Sequence, residues 1–227
     1  YFLISIIFFL ILAFLFLRYT VPVYQTNAKI EIIDKSQDNE MALPTEMTIF
    51  NRSMINLENE IGILNSYILH ENTVKSEDFN LRFFNIGDIK TSENHKDEWF
   101  DDYELKVNVD LKGIIETISF LIFPDENKLV IESYDYKNQK LDTYNFNNLS
   151  TFNQNHDLPF NLKINNLTDN NWTRELVFMS LKETAIYFKD IFSVKESGKD
   201  SDQLTLSVKH ENIKIANLYL NKLIYEF

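Results

Sequence analysis

The most pronounced feature of the hydrophobic pattern lies at the N-terminal end, where residues 1–17 carry no charged side chain and are almost entirely Phe, Leu and Ile. A helix of that length spans roughly 25 Å, slightly less than the roughly 30 Å hydrocarbon core of a bilayer. No face of the run is polar, which argues against a buried core helix, and a cleaved signal peptide is the other alternative. We therefore predict a transmembrane helix over residues 1–19 whose first residues are missing.

Two later segments repeat apolar residues at spacings of three and four, the period of an amphipathic helix. The first covers residues 54–68, where Ser53 is placed to cap the first turn and Ser66 to cap a second helix that runs to about residue 77. The second covers residues 213–227 and has no stop signal, so we expect this helix to continue in the intact protein. Its predicted apolar side consists of Ile213, Ala216, Leu220, Leu223 and Phe227.

Segments that alternate between apolar and polar residues predict half-buried strands. Residues 28–33 have this period, with Ile30 and Ile32 on one side. The chain between residues 80 and 165 is rich in such segments, and we predict strands at residues 103–109, 118–123, 129–134 and 160–164. Beyond Trp172 the pattern predicts a strand at 176–180, a helix at 181–190, and strands at 192–196 and 204–209.

This order of elements predicts an α+β fold. The N-terminal transmembrane helix, residues 1–19, is followed by a base domain formed by residues 20–98 and 171–227. Residues 99–170 form a β-rich insertion between the two halves of that domain. The chain is thus expected to be an internal segment that ends inside a helix.

Composition narrows the function classes. The 227-residue chain has a formal net charge of −12, no cysteine and only four glycines. Without cysteine there is no disulfide, thiol nucleophile or Cys-based zinc site, and the acidic balance argues against nucleic acid as a partner. The only Gly-Lys pair, Gly198-Lys199, lacks the spacing and the hydroxyl residue of a Walker loop.

The histidines do not form a helical metal pair, because none has another histidine three or four residues away. We predict that each of them, namely His70, His95, His156 and His210, lies on the surface. The sequence of this segment therefore predicts no catalytic residue, no metal site and no bound cofactor.

Three stretches resemble one known family. Residues 18–30 follow the apolar run directly, with Pro22, Tyr24 and Ala28, and resemble the opening of the Wzz-type polysaccharide chain-length determinant domain. Residues 59–69 resemble the first helix of that domain, and residues 216–225 resemble its closing helix. The matching positions in these two helices are Glu60, Ile61, Leu64 and Ser66, and then Ala216, Asn221 and Leu223.

The resemblance implies a polysaccharide co-polymerase of the bacterial inner membrane, with its soluble part in the periplasm. Such proteins form homo-oligomeric rings and regulate the chain length or export of exopolysaccharide, capsule or O-antigen together with the polymerase and export machinery. The long insertion is similar to that of members fused to a cytoplasmic tyrosine autokinase. ATP and Mg²⁺ would be cofactors only if such a domain follows, which this sequence leaves open. The alternative from another class is the extracytoplasmic sensor domain of a membrane receptor kinase.

Aromatic residues are frequent in the predicted insertion and just after it, and exposed aromatic faces can stack on sugar rings. We single out Trp99 and Tyr134 as candidate contacts to the polysaccharide. The alternative is that these aromatic side chains pack the inserted sheet.

Overall fold

The computed structural model describes residues 1–33, 57–126, 128–146, 158–165, 171–198 and 202–227. Within these ranges the helices are α1 Phe2–Tyr19, α2 Leu57–Leu64, α3 Tyr67–Ser76, α4 Leu181–Ile191 and α5 Ile213–Glu226. The strands are β1 Tyr24–Glu31, β2 Leu81–Ile86, β3 Thr91–Asn94, β4 Tyr103–Val107, β5 Ile118–Asp125, β6 Lys128–Tyr134, β7 Lys140–Phe146, β8 Phe160–Ile164, β9 Thr173–Phe178, β10 Phe192–Glu196 and β11 Gln203–His210. The mixed α+β class predicted from the sequence is confirmed.

Helix α1 packs against nothing else in the described chain. None of its 18 residues is buried, and its mean hydropathy is 2.6. Eighteen residues span about 27 Å, so α1 is long and apolar enough to cross a membrane.

The first of two packed units, which we call the base unit, joins the two ends of the soluble chain. Its antiparallel sheet has the order β1-β11-β10, with Tyr24 opposite His210 and Glu31 opposite Gln203. Helices α2 to α5 cover this sheet and share one apolar core with it. The alternating pattern predicted for the last strand is confirmed, because Leu204, Leu206 and Val208 are all fully buried.

Local side-chain chemistry sets where the base-unit helices begin and end. Ser66 caps α3 as predicted, accepting a hydrogen bond from the backbone N–H of Leu69 at 3.3 Å, a contact of a type worth about 1 kcal/mol. Helix α3 ends in a Schellman motif, in which Phe79 N–H donates to the Val74 carbonyl at 3.2 Å. Asp78 holds the left-handed position of that motif, with φ 52°.

The second packed unit, which we call the β unit, has its own core between two sheets. One sheet has six strands in the order β3-β2-β9-β5-β6-β7, and the other pairs β4 with β8. This unit is wider than residues 99–170, because β2 and β3 precede that segment and β9 follows it. Strand β9 lies between β2 and β5, a pairing between distant segments that local periodicity does not reveal.

Several predictions of detail are wrong. Strands β2, β3 and β7 were not predicted. The apolar spacing predicted over residues 54–68 is interrupted, because the chain turns at Asn65 between α2 and α3. Ile68, which the spacing assigns to the apolar side, is 68% exposed. On α5 the predicted burial of Ala216, Leu220 and Leu223 is confirmed. Ile213 and Phe227 are exposed, however, and Ile215 and Tyr219 are buried in addition.

Other predictions lie outside the described residues. These are the Ser53 cap, the start of the first amphipathic helix at residue 54, His156 and the Lys199 part of the Gly-Lys pair.

Candidate functional site

The three stretches that resemble one family lie together in the base unit. Leu64 on α2 and Ala216 and Leu223 on α5 are fully buried in its core. Ala28 on β1 and Ile61 on α2 pack against the same core. The fold therefore brings together side chains from the beginning, the middle and the end of the described chain.

The remaining residues of these stretches have different surroundings. Pro22, Tyr24 and Asn221 are exposed, and Glu60 is half-buried. Ser66 is the N-cap of α3. Only the buried and partly buried apolar members thus contribute to the common core.

A buried ion pair lies where the β unit meets the base unit. Arg82 on β2 donates from Nε to Oε1 of Glu93 on β3 at 2.7 Å, and from Nη2 to Oε2 of the same carboxylate. The two side chains are only 12% and 2% exposed. The Arg82 guanidinium also lies 4.3 Å from the ring centroid of Tyr187 on α4, so this cation contacts both units.

His210 extends the same junction from the end of β11. Its Nδ1 accepts the backbone N–H of Asn212 at 2.9 Å, which places the proton of the neutral ring on Nε2. Nε2 lies 3.1 Å from Oε2 of Glu93. On the outer side, Asn212 donates to Glu98 at 2.9 Å and Lys214 pairs with Glu98 at 2.7 Å. Polar groups from β2, β3, β11 and α5 therefore meet at this junction.

The electrostatics of the pair favour its charged form. Burial alone raises the pKa of Glu93, but hydrogen bonds from Arg82 and His210 outweigh burial, and the net pKa lies below its ordinary value. For Arg82, burial alone lowers the pKa, and the hydrogen bond to Glu93 reverses this effect and raises it. Both groups are therefore ionised at neutral pH.

A cavity of about 530 Å³ adjoins the pair between the two units. Its apolar wall includes Phe79, Phe83, Leu105, Phe188 and Leu218. Its polar wall includes Arg82, Glu93, His95, Lys96 and Asp97. The volume is in the range of small-molecule sites, but the buried cation and anion on this wall already satisfy each other.

Two of the four histidines contradict the predicted surface location. His70 and His210 are 0% and 2% exposed, because each has a polar partner from a distant segment, Tyr219 for His70 and Glu93 for His210, that the sequence pattern does not show. His70 Nδ1 shares a hydrogen bond with the Tyr219 hydroxyl. Burial, with the nearby charge of Lys189, lowers the pKa of His70 to about 4. His95 is half-buried.

The two candidate sugar contacts differ in exposure. Trp99 is 0% exposed and its Nε1 donates to the Phe84 carbonyl at 3.2 Å, so it packs the β unit and offers no face to a sugar. Tyr134 is half-buried at the end of β6, and its hydroxyl donates to Glu132. Among the described residues, no group of three His, Asp or Glu side chains could hold a metal ion.

The ion pair between Arg82 and Glu93 was not predicted from the sequence. The signal for Arg82 was present, because a single arginine interrupts the apolar run Leu81–Phe84, and a charge inside such a run needs a partner when the strand is buried. Glu93 carried no comparable signal. No protein-family model matches the chain, and no curated protein matches it significantly.

Proposed function

We propose that this chain is the membrane-anchored, periplasmic domain of a polysaccharide co-polymerase, which oligomerises and regulates the chain length or export of an exopolysaccharide, capsule or O-antigen. The observation that carries the proposal is the common core formed by Ala28, Ile61, Leu64, Ala216 and Leu223. These residues come from the three family-like stretches, and the first stretch directly follows a helix that could cross a membrane.

In this proposal the domain acts as a scaffold without catalysis of its own, and α1 holds each copy at the inner membrane. Large apolar side chains remain exposed on the base-unit helices, with Ile63 43%, Ile68 68%, Ile186 41% and Tyr225 80% exposed. Exposed apolar side chains are candidates for contacts between copies. A ring of such copies would present a repeated surface to the polymerase and the export machinery. ATP and Mg²⁺ enter only if a kinase domain follows in the intact protein.

The experiment measures the mass of the detergent-solubilised protein after cross-linking, together with the polymer-length profile of cells that depend on it. We expect oligomers for the unchanged protein. Ile68→Glu should shift the protein towards monomers and alter the length profile, because a buried carboxylate is costly at an interface. The matched control is Ile115→Glu on the β unit, at a side chain that is 87% exposed, which should stay oligomeric.

Thermal unfolding establishes that both variants are folded. Monomers at every concentration of the unchanged protein would refute the proposal. An unchanged length profile in cells that lack the protein would refute it as well.

The sensor-domain alternative is favoured by one observation, the cavity of about 530 Å³ between the two units. A sensor would bind a small molecule there and would show no effect on polymer length. The same length profile therefore separates the two functions.

A further inference from the structure

Three buried polar atoms without a hydrogen-bonding partner lie in one part of the β unit. They are Nε of Arg174, Oδ1 of Asn85 and Nε1 of Trp172. Asn85 on β2 and Arg174 on β9 are directly opposite each other in the antiparallel register. Trp172 lies just before β9. We call these three residues the Arg174 cluster.

The cluster lies at one end of the sheet face that carries the core of the β unit. Because side chains alternate along a strand, Asn85 shares a face with Phe83, and Arg174 shares that face with Leu176; both of these apolar residues are buried in the core. Asn85, Arg174 and Trp172 themselves remain partly exposed. The cluster therefore forms a polar edge where the apolar core reaches the surface.

Aromatic rings hold the cation in place. The guanidinium carbon of Arg174 lies 5.2 Å from the ring centroid of Phe100. Trp172 contacts the same ring edge-on, with 5.1 Å between centroids. These contacts favour one orientation of the guanidinium and indole groups.

Arg174 differs from Arg82 in its partners. Arg82 makes two hydrogen bonds to one buried carboxylate, whereas the side chain of Arg174 makes no ion pair or hydrogen bond within the described chain. Buried polar groups in native proteins nearly always have a partner, and three orphan atoms in one place require an explanation. An ordered water could satisfy one of them, but it would carry no charge, and Asp101, whose negative charge favours the Arg174 cation, forms no ion pair with it.

We propose that the Arg174 cluster binds a carboxylate, and specifically the carboxylate of a uronic-acid unit in the polysaccharide. This rests on the proposed function, which supplies the polymer. The planar guanidinium fork matches a carboxylate, the indole N–H is a second donor, and the Asn85 amide oxygen accepts from a sugar hydroxyl. A phosphate dianion fits less well, because one guanidinium does not neutralise it and the chain already has a net charge of −12.

The test measures binding to the full chain in detergent by calorimetry, with sodium glucuronate, glucose and sodium acetate as probes. We expect glucuronate to bind more tightly than either glucose or acetate. Arg174→Gln should weaken glucuronate binding by about tenfold or more, because it removes a charge-assisted contact. Arg174→Lys, which keeps the charge but loses the fork, should weaken it less. Trp172→Phe tests the indole N–H and should also weaken it.

The matched control is Lys106→Gln, which removes an exposed cation from β4 in the same unit and should leave binding unchanged. Thermal unfolding checks that Arg174→Gln is folded. If Arg174→Gln does not fold, the comparison of Arg174→Lys with the unchanged protein tests the proposal instead. Equal binding of glucuronate by Arg174→Gln and the unchanged protein would overturn the proposal, as would no binding of glucuronate at all. Equal binding of acetate and glucuronate would show a site for free carboxylates and overturn the saccharide assignment.

Failure of this site and failure of the proposed function give different results. If only the site is wrong, the protein is oligomeric and controls polymer length, but glucuronate does not bind. If only the function is wrong, glucuronate binds in an Arg174-dependent way, but the protein is monomeric and its loss leaves polymer length unchanged.

Discussion

The buried pair at the junction of the two units provides the sharpest test of how they are held together. Glu93→Ala removes both acceptors of Arg82 and the carboxylate that faces His210. The substitution leaves a guanidinium whose side chain is 12% exposed without its counter-ion. We expect a large loss of stability, because a buried charge without a partner is strongly unfavourable.

The magnitude follows from burial. Removing one partner of a buried pair typically costs about 3–5 kcal/mol, and the residual exposure of Arg82 places the expected loss near the lower limit, at about 3 kcal/mol. The matched control is Glu104→Ala, because the Lys163–Glu104 pair has side chains that are 48% and 68% exposed. An exposed pair contributes less than about 1 kcal/mol. The double variant Arg82→Met with Glu93→Leu should recover most of the loss, since no charge stays buried.

Urea unfolding of the chain in detergent, followed by tryptophan fluorescence, measures these differences. Trp99 is fully buried in the β unit, so its emission reports on the unfolding of that unit. The folded pKa of Glu93 is below its ordinary value of 4.5, so its contribution is complete above pH 4.5 and is lost as pH falls through the folded pKa. Equal losses for Glu93→Ala and Glu104→Ala would refute the reasoning.

Three further changes, all in the base unit, can be measured by urea unfolding followed by circular dichroism, because both tryptophans lie in the β unit. Leu64→Ala should cost about 2–5 kcal/mol because the side chain is 0% exposed, whereas Ile63→Ala, at a side chain 43% exposed, should cost less than about 1 kcal/mol; equal losses would contradict the orientation of α2. Asp78→Gly should raise the free energy of unfolding by about 0.5–1 kcal/mol, because its φ of 52° suits glycine, and a loss would contradict the left-handed cap. Since the pKa of His70 falls from 6.5 to about 4 on folding, the free energy of unfolding should decrease as pH falls through that window. The double variant His70→Phe with Tyr219→Phe should lack this His70-dependent decrease; the same pH dependence in the variant and the unchanged protein would contradict the prediction.

The parts of the fold that the sequence predicted are those encoded over a few neighbouring residues. The cap at Ser66 and the boundaries of α4 depend on local hydrogen bonds and on the helical period. The alternation in β11 arises because one face of this strand is buried and the other is not. These features depend little on which distant segment packs against them.

The parts that were missed depend on distant contacts. Strand β2 is partly buried on both faces, so its sequence lacks alternation, and β7 is a mostly exposed edge strand whose apolar residues do not alternate regularly with polar ones. The burial of His70 depends on Tyr219, which is 149 residues away. The Arg174 cluster likewise exists only because β2 and β9 are neighbours in the sheet.

The register of the base sheet shows that α1 and the junction of the two units lie at the same end of that sheet. Strand β1 begins at Tyr24, opposite His210, and the link from Tyr19 to Tyr24 can extend over at most about 18 Å. His210 is also the residue that contacts Glu93 of the β unit. The β unit is therefore attached at the end of the base sheet to which α1 leads, and in the proposed function this end is next to the membrane.

A junction of this kind would do more than add stability. The hydrogen bonds between Arg82 and Glu93, with His210 beside them, are directional and allow the two units only a narrow range of relative orientations. An apolar contact of the same size would allow a wider range. The double variant Arg82→Met with Glu93→Leu separates the two effects, because it removes the directional contacts while leaving no charge unpaired. If orientation of the β unit above the membrane governs polymer length, this variant stays folded and oligomeric but changes the length profile. An unchanged profile would mean that the pair holds the units together without setting their orientation.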